Sequence, residues 1–504
     1  MLPSSQSVSI IASELLYGIY KPRELFSRGF MILKSAGLNT AYSLFIWLIM
    51  KIYDKEKIDK DNMLFTPKAL WALALPVMVE QLLNSLMGTA DTMMVSNIGS
   101  AALSAVSLVD SINVMVYQIF AALATGGTII CSQYLGNKDK KNANKAADQV
   151  FMSVLAISLL LMFVCIFARR GILRLVFGSV EEAVMTNSEI YFLITALSYP
   201  ALALFNAGSA FFRAGGESKF PMKVSIISNA INIAGNAVLI FVFHMGVAGA
   251  AIATLASRIF SMIVVFVALR KPNQPIVMDH YLKMRPDMSL IGKVMGVGIP
   301  AGIENGMFQF GKLAIQSSVS TLGTVAIAAQ AMTNVLENVN GIGACGVGIA
   351  LMTVVGQAIG AGRKEEAKYY VVKMFVMAET VIIISCLFVL AITKPVTYLG
   401  GMEDEAAAMC FQMVCYITIF KPLFWCFSFL TAYGMRAAGD VKFSMIVSLC
   451  TMWLCRVAIA TFLIRVMHIG ILGVWIGMFA DWGVRGIIFT LRFLSGKWLE
   501  KRVI

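Results

Sequence analysis

Three asparagines and one aspartate in the first half of the chain have the spacing and surroundings of an ion-binding site. Asn229, Asn232 and Asn236 are three and four residues apart, so a helix would place them on one face. Asp91 lies inside the apolar stretch 65–98. A carboxylate in a spanning helix costs about 2.5–3.5 kcal/mol, which indicates a functional role. Carboxylate and amide oxygens are ligands for a hard cation, and a desolvated carboxylate can also take up a proton.

Each of these residues also has a simpler interpretation. Counted from Ala69 at 1.5 Å per residue, Asp91 lies roughly 33 Å along a helix, near the outer headgroups, where it could merely end the span. The asparagines could hold neighbouring helices together by hydrogen bonds, as is common in membranes. Because the apolar run continues past Asp91 and the asparagines belong to the same half, we favour the ion-binding interpretation.

Other polar residues inside apolar stretches predict the walls of a water-filled cavity, since charged groups at membrane depth should not face lipid. Pro76 removes a backbone hydrogen bond from the apolar stretch that contains Asp91, which predicts a hinge there. Asp481 and Arg485, one helical turn apart, predict a neutralising pair. The candidate cavity residues are Glu80, Asp110, Asn113, Glu304, Gln309, Asn334 and Glu337.

Composition places the chain in a membrane. Of its 504 residues 59% are hydrophobic and 14% are charged, whereas soluble domains carry about 25% charged residues. The mean hydropathy is +0.79. The net charge of +13 does not indicate a nucleic-acid partner, because the basic residues lie in short loops that alternate with loops poor in them.

Three patterns resemble enzyme or metal-binding motifs but lack features that those motifs require. Gly306–Leu313 resembles a phosphate-binding loop, but it lacks the final Ser or Thr and lies within an apolar stretch. The histidines His244, His280 and His468 are too far apart for a zinc motif. The nine cysteines form no CxxC pair, which favours structural thiols. We therefore predict no enzyme activity and no cofactor; the one metal ion considered is Na⁺ at Asp91.

Hydropathy predicts an all-α integral membrane protein with twelve transmembrane helices. The chain is predicted to consist of an N-terminal extension outside the core at 1–62, an N-lobe at 63–269, a basic cytoplasmic linker at 270–288 and a C-lobe with a short tail at 289–504. The predicted spans lie near 68–96, 101–130, 147–168, 187–212, 221–243, 247–269, 289–318, 324–356, 371–393, 408–434, 441–466 and 470–494.

The loop charges predict the orientation. The even-numbered connections are basic and the odd-numbered ones are poor in Lys and Arg, except for the third, with Arg169, Arg170 and Arg174. Basic loops stay on the cytoplasmic side, so both core termini are predicted to be cytoplasmic, in a plasma (inner) membrane. The basic residues of the second, fourth, eighth and tenth connections are Lys138, Lys140, Lys141, Lys145; Arg213, Lys219, Lys223; Arg363, Lys364, Lys368; and Arg436, Lys442.

The two halves of the chain repeat each other. Pro76 and Pro300 are 300 − 76 = 224 residues apart, and Arg213 and Arg436 open similar blocks at an offset of 436 − 213 = 223. Each half has an even number of spans, so both insert the same way up, as a parallel repeat of two pseudo-symmetric six-helix lobes around a cavity. Further pairs at an offset of 224 are Glu80 with Glu304, Gly99 with Gly323, Asp110 with Asn334, Gln133 with Gln357, Gly136 with Gly360, and Gly246 with Gly470.

Residues 1–62 do not match the rest of the chain. They are polar and basic apart from Ala41–Met50, a run too short to span a bilayer. The segment is either an interfacial arm or an over-extended reading frame, with later starts at Met31, Met50 or Met63, and we favour the second. A chain beginning at Met63 is therefore expected to insert and transport.

Several blocks resemble the multidrug and toxic compound extrusion (MATE) transporters. They are Pro76, Gly88–Ser96 around Asp91, Gln133–Gly136 and Arg213–Lys219, and the likeness covers about residues 63–492. The resemblance implies cation-coupled efflux of small amphipathic, often cationic, organic compounds through two six-helix lobes.

The resemblance also implies a cation site in the N-lobe. Asp91 matches the aspartate of the first helix, Asn232 and Asn236 match two positions of the fifth helix, and Thr254 matches a threonine of the sixth. Some members have a carboxylate where this chain has Asn236, and others have a seventh-helix glutamate where it has Gln309. These departures leave Asp91 as the main titrating group of that site and put a cation site in the C-lobe in doubt.

The sequence thus predicts a monomeric, secondary-active exporter that antiports Na⁺ or H⁺ by alternating access. One alternative is a lipid-linked saccharide flippase of the same superfamily, which would usually have more spans and a strongly cationic cavity. The other is a receptor or scaffold that transports nothing, against which the intramembrane carboxylates and the internal repeat argue.

Overall fold

The computed structural model describes residues 53–504, except 55, 57, 60, 179, 180, 282, 283 and 502. These residues form helices and connecting loops, with no strand among them. The apolar run 41–50, discussed above as an interfacial segment, lies outside the described residues.

Twelve long helical elements follow the twelve predicted spans. Ten could each cross a membrane by length and apolar composition, and α4, counted as one bent span, makes eleven. The remaining one, α7, is 32 residues long and more polar, since it contains Lys293, Glu304 and Lys312. The elements are α1 (Pro67–Ser96), α2 (Ser100–Gly136), α3 (Lys140–Phe167), α4 (Glu182–Leu197 with Tyr199–Ala214), α5 (Lys219–Val242), α6 (Gly246–Leu269), α7 (Met288–Val319), α8 (Thr324–Gly360), α9 (Lys364–Leu399), α10 (Asp404–Ala438), α11 (Val441–Arg465) and α12 (Leu472–Leu494).

Short polar residues and glycines define where these helices begin. The Thr66 hydroxyl accepts a hydrogen bond from the Ala69 amide at 3.3 Å, and Pro67 follows at the first helical position of α1. The repeated glycines Gly99 and Gly323 precede α2 and α8 with φ of 138° and 91°. Because side chains disfavour this region of backbone conformation, both lobes need glycine at the same turn.

Three helices depart from regular α geometry in regions that carry polar residues. The two segments of α4 meet at Ser198 with a bend of 41°. Helix α5 becomes π-helical at Ala237–Val242, immediately after Asn236, and α11 is π-helical at Thr451–Ala458. Such π segments often mark functional sites.

The buried apolar residues form two large clusters, one for each lobe, and the lobes exchange the starts of two helices. Leu70 and Val77 of α1 pack in the C-lobe cluster, whereas Leu290 and Val294 of α7 pack in the N-lobe cluster. The exchange ties the lobes together along the first halves of α1 and α7.

The repeated Gln-x-x-Gly blocks at the ends of α2 and α8 pack against each other across the two lobes. A Cβ atom on Gly136 would lie 2.1 Å from the Gln357 carbonyl oxygen, and one on Gly360 would lie 2.0 Å from that of Gln133. Only glycine allows this approach. We call these two blocks, Gln133–Gly136 and Gln357–Gly360, the interlobe seam.

The seam also engages the repeated Arg-Ala-x-Gly blocks crosswise. The Gln133 amide donates to the carbonyl of Ala437 in the C-lobe at 2.9 Å, and the Gln357 amide donates to the carbonyl of Ala214 in the N-lobe at 2.7 Å. The two motifs that are doubled in the sequence therefore form one pseudo-symmetric contact between the lobes.

The described end of the predicted extension packs on the C-lobe. Tyr53 and Ile58 are buried in the C-lobe cluster, and the Tyr53 ring lies 5.3 Å from that of Tyr369 on α9. The Arg363 guanidinium donates to the Asn62 carbonyl at 2.6 Å. The described residues of the range 53–62 are thus in contact with the core, and the domain boundary at 63 stays a prediction.

Candidate functional site

Four residues from three helices of the N-lobe meet in a buried polar cluster. The Asn236 amide donates to the Asp91 carboxylate at 2.5 Å, and the Asn232 amide donates to the Thr254 hydroxyl at 3.1 Å. Thr254 is also within hydrogen-bonding reach of Asp91. These are the four positions that the resemblance implied, and the structure brings them together; we call them the N-lobe site.

The chemistry of the N-lobe site suits a small hard cation or a proton. Asp91 is 7% exposed, and the two asparagines are fully buried. The Oδ1 atom of Asn236 is buried and has no hydrogen-bond partner among the described residues. An orphaned amide oxygen beside a carboxylate is an unused ligand, and oxygen is the ligand type that hard cations prefer. Protonation of Asp91 would neutralise the same site without a metal ion.

A second polar network lies beside the N-lobe site and joins α2 to α4. Asp110 accepts hydrogen bonds from Asn113 at 3.1 Å and from the Tyr191 hydroxyl at 3.4 Å. The Tyr199 hydroxyl donates to the side-chain Oδ1 of Asn113 at 2.9 Å. The predicted cavity residues Asp110 and Asn113 are only partly buried, so this network is not sealed inside the protein.

Arg258 of α6 links the two N-lobe clusters and was not singled out from the sequence. It donates to the Ser198 hydroxyl, at the bend of α4, at 2.6 Å. It also interacts electrostatically with both Asp91 and Asp110. Its position four residues after Thr254 puts it on the same helix face. A single arginine in an apolar span was the signal that could have identified it.

Two of the sequence-predicted residues lie away from the N-lobe site. The Asn229 amide donates to the Ser225 carbonyl of its own helix at 2.8 Å, so this asparagine does not join Asn232 and Asn236. Pro76 is buried inside α1, 15 residues before Asp91 (91 − 76 = 15), which is roughly 22 Å along the helix.

Glu80 and Glu304 form equivalent buried ion pairs, one in each lobe. Arg213 lies 3.1 Å from Glu80, and Arg436 lies 2.5 Å from Glu304. The two glutamates are 3% and 4% exposed, so the structure places them in ion pairs and not on a cavity wall. The arginines belong to the repeated Arg-Ala-x-Gly blocks next to the interlobe seam.

The remaining predicted residues lie in the C-lobe. Gln309 is partly buried on α7, and Asn334 is exposed on α8, where it accepts a hydrogen bond from Gln330 at 3.1 Å. Glu337 is partly exposed and forms an ion pair with the fully buried Lys421 at 2.6 Å. Asp481 and Arg485 form the ion pair that their spacing predicted.

The described residues offer no cluster of the acidic, histidine and cysteine side chains that commonly bind metal ions. Within the described part of the chain, no group of three or more His, Cys, Asp or Glu side chains could hold a metal ion. A cation at the N-lobe site would therefore depend on one carboxylate together with amide and hydroxyl oxygens.

The model of the MatE family matches the chain twice, at residues 76–238 and 300–462. The two matches are again 300 − 76 = 224 residues apart, which confirms the repeat that the sequence predicted. Between them they cover most of both lobes.

Curated relatives match over most of their lengths. The uncharacterized transporter YisQ of Bacillus subtilis is 26% identical over 89% of this chain and 99% of that protein. The probable multidrug resistance protein NorM of Thermotoga maritima is 26% identical over 89% of this chain and 97% of that protein. Multidrug and toxin extrusion protein 1 of Oryctolagus cuniculus is 24% identical over 82% of this chain and 72% of that protein.

Solved structures share the fold. A crystal structure of MATE in complex with MaL6 aligns with a TM-score of 0.80 at 20% identity, over 86% of this chain and 97% of that one. An outward-facing conformation of a multidrug resistance MATE family transporter of the MOP superfamily aligns with a TM-score of 0.80 at 19% identity, over 86% of this chain and 96% of that one. The twelve-helix fold is therefore confirmed, and the chain belongs to the MatE family.

Proposed function

We propose that this protein is a secondary-active exporter of small organic compounds that antiports Na⁺ or H⁺ by alternating access. The observation that carries the proposal is the N-lobe site, where a buried carboxylate lies against an amide oxygen without a partner. The names of the relatives support export of varied compounds, since two of them are multidrug resistance or extrusion proteins. A secondary-active exporter is driven by an ion gradient, so the proposed function requires neither an enzyme reaction nor a cofactor.

The site can couple ion movement to helix movement. A bound cation or proton neutralises Asp91, which removes the penalty of a bare charge in a low-dielectric pocket. Because Asn236 and Thr254 belong to α5 and α6, filling the site changes how closely α1 packs on both helices. Pro76 removes a backbone hydrogen bond from α1 and gives it a place to bend. Coupling requires that ion and substrate each bind the two access states with different affinity.

The interlobe seam supports an assignment of the access state. The seam lies at the ends of α2 and α8 that lead into basic loops, which are the predicted cytoplasmic side. We infer a state that is closed to the cytoplasm, in a plasma membrane protein whose core termini are both cytoplasmic. An impermeant thiol reagent should label Ser96→Cys but not Lys140→Cys from outside, in a cysteine-free background; the reverse pattern would overturn the orientation.

Efflux assays in inverted vesicles test the proposal. A cationic dye is added outside the vesicles, where the cytoplasmic side faces, and its uptake into the lumen is followed under separately imposed Na⁺ and H⁺ gradients. Asp91→Asn keeps the size of the side chain and removes its charge, so gradient-driven transport should be abolished at normal expression. Asp279→Asn, in the exposed linker, is the matched control and should transport like the unaltered protein. Unchanged transport by a well-expressed Asp91→Asn protein would contradict the proposed coupling mechanism.

A further inference from the structure

The C-lobe holds a group of cationic side chains at membrane depth that exceeds its acidic partners. Lys312 comes from α7, Lys421 from α10, Arg456 from α11 and Arg485 from α12. Two acids lie among them, Glu337 of α8 and Asp481 of α12. The group therefore carries two formal positive charges in excess.

Ion pairing identifies which two cations are in excess. Lys421 pairs with Glu337, and Arg485 pairs with Asp481. Neither Lys312 nor Arg456 has a carboxylate within ion-pairing distance in the described part of the chain. Arg456 interacts electrostatically with Asp481 and Glu337 at longer range, and Lys312 interacts with Glu337 and Arg456. The Nε atom of Arg456 is buried without an acceptor. A charge at membrane depth is costly unless it is paired, so these two cations call for an anion.

Aromatic rings frame the unpaired cations. The guanidinium groups of Arg456 and Arg485 lie 5.8 Å and 5.1 Å from the centre of the Phe308 ring, and that of Arg485 lies 4.7 Å from the Phe429 ring. Lys312 follows Phe308 by one helical turn, which puts both on the same face of α7. Flat apolar faces beside cationic groups suit a ligand that has both an aromatic ring and a negative charge.

The group is not sealed inside the protein. Lys312 is exposed, and Phe308, Phe429 and Arg456 are only partly buried. The Glu337 side chain is 20% exposed. Lys312, Arg456 and Phe308 are named the C-lobe cation cluster below.

We propose that the C-lobe cation cluster is a binding site for aromatic organic carboxylates. The carboxylate lies between Lys312 and Arg456 and accepts hydrogen bonds from both, and the aromatic ring packs against Phe308 and Phe429. The proposal rests on the exporter function above, because it names a substrate class for that exporter. It also differs from the expectation that substrates are mainly cationic, since the N-lobe site and the C-lobe cluster have opposite charge.

Equilibrium dialysis of the purified full-length protein in detergent tests the site. Three radiolabelled probes have the same ring system: 2-naphthoate, 2-naphthamide and 2-naphthylmethylammonium. The unaltered protein should bind the carboxylate about tenfold or more tightly than the neutral amide, because hydrogen bonds to a charged group contribute about 1.5–3 kcal/mol. Equal affinity for carboxylate and amide would overturn the proposal.

Three variants of cluster residues and one control variant test whether the cluster binds the carboxylate. Arg456→Gln and Lys312→Gln should each weaken 2-naphthoate binding about tenfold and leave 2-naphthamide binding unchanged. Arg456→Lys keeps the charge and should recover part of the affinity, which protects the test against a folding defect. Lys442→Gln removes an exposed cation from the cytoplasmic end of α11 and should bind like the unaltered protein. Equal losses in Lys442→Gln, or none in Arg456→Gln and Lys312→Gln, would contradict the site.

The same assay separates this proposal from the exporter function. Asp91→Asn should retain 2-naphthoate binding, since the N-lobe site does not contain the cluster, while losing gradient-driven efflux. Carboxylate binding without any efflux by the unaltered protein would contradict the exporter function and leave the binding site standing. Dye efflux without carboxylate-selective binding would contradict the binding site alone.

Discussion

The residues of the N-lobe site have repeat mates in the C-lobe, and every one of them differs. At the offset of 224 residues, Asn232 corresponds to Arg456 and Asp91 corresponds to Ile315. The same offset relates Asn236 to Ala460 and Thr254 to Met478. An acidic, oxygen-rich site in one lobe thus has a cationic, apolar counterpart in the other.

The residues that shape the backbone, by contrast, are kept in both lobes. Pro76 and Pro300 both lie inside a helix, and Gly99 and Gly323 both have a positive φ. The two blocks of the interlobe seam approach each other equally closely. The comparison teaches that helix bends, turns and the contact between lobes require particular residues in both halves. The interior polar residues are free to differ, and this difference is the basis of the different ligands proposed for the two lobes.

The largest expected effect concerns the buried lysine that only the C-lobe has. Lys421 is fully buried. At the offset of 223 that relates Arg213 to Arg436 in the same two helices, its N-lobe counterpart, 421 − 223 = 198, is Ser198. Glu337→Gln removes its counter-ion and should destabilise the protein by about 3–5 kcal/mol, because a buried charge is left uncompensated. Thermal unfolding in detergent, read by near-ultraviolet circular dichroism, measures the loss.

Two further variants check this interpretation. Adding Lys421→Met to Glu337→Gln should restore most of the stability, since no bare charge then remains. Glu189→Gln removes the partner of Arg170, whose side chain is 62% exposed, and should cost less than about 1 kcal/mol. A double variant that is no more stable than Glu337→Gln would show that packing, and not charge, explains the loss.

The next largest expected effect concerns the interlobe seam. It tests whether the two lobes contribute equally to the stability of this contact. Gly136→Ala and Gly360→Ala each place a methyl group against a backbone carbonyl of the other lobe. Because backbone must shift to admit it, each should lower stability by about 1–3 kcal/mol, and the two losses should be similar. Gly88→Ala, whose added atom would meet nothing within 4 Å, should be neutral or slightly stabilising. A loss confined to one of the two seam variants would contradict the pseudo-symmetric contact.

The sequence predicted the repeat from its doubled motifs and the helix positions from hydropathy. Helix spacing put Asn232 and Asn236 on one face but wrongly added Asn229, which bonds to its own helix, and Thr254 was implied only by the family resemblance. The pairing of Glu80 with Arg213, 133 residues apart, did not follow, because helix packing alone decides which distant charges meet. For the same reason the C-lobe cation cluster, assembled from separate helices, was not identified from the sequence.

A smaller effect concerns a segment that packs on one lobe only. A chain beginning at Met63 should insert, as the sequence predicts, and we expect the same of a chain beginning at Tyr53. The shorter chain lacks Tyr53 and Ile58, which are buried on the C-lobe, and should lose about 2 kcal/mol of stability from their apolar burial. Tyr53→Ala combined with Ile58→Ala in the full chain should reproduce that loss in thermal unfolding. Equal stability of the two shortened chains would show that this packing contributes nothing.

The smallest effect concerns the first turn of α3, where the lobes again differ. Asp139 caps α3 by accepting hydrogen bonds from the Asn142 amide at 3.0 Å and from its side chain at 2.6 Å. Its repeat mate, 139 + 224 = 363, is Arg363, and α9 has no side-chain cap. The backbone hydrogen bond from Asn142, followed by that from its side chain, lowers the pKa of Asp139 from its usual value of 3.8.

A lowered pKa in the folded state means that the charged cap stabilises the protein above the unfolded pKa and loses this effect as the pH falls through the folded pKa. Asn is also a good cap, so Asp139→Asn should lower the melting temperature only slightly at pH 7. The difference between the two proteins should shrink below about pH 4, where the unfolded aspartate is protonated. Melting curves of both proteins across this range measure it. A difference that stays constant down to the lowest pH would mean that the charge of Asp139 does not contribute, and that the cap acts by hydrogen bonding alone.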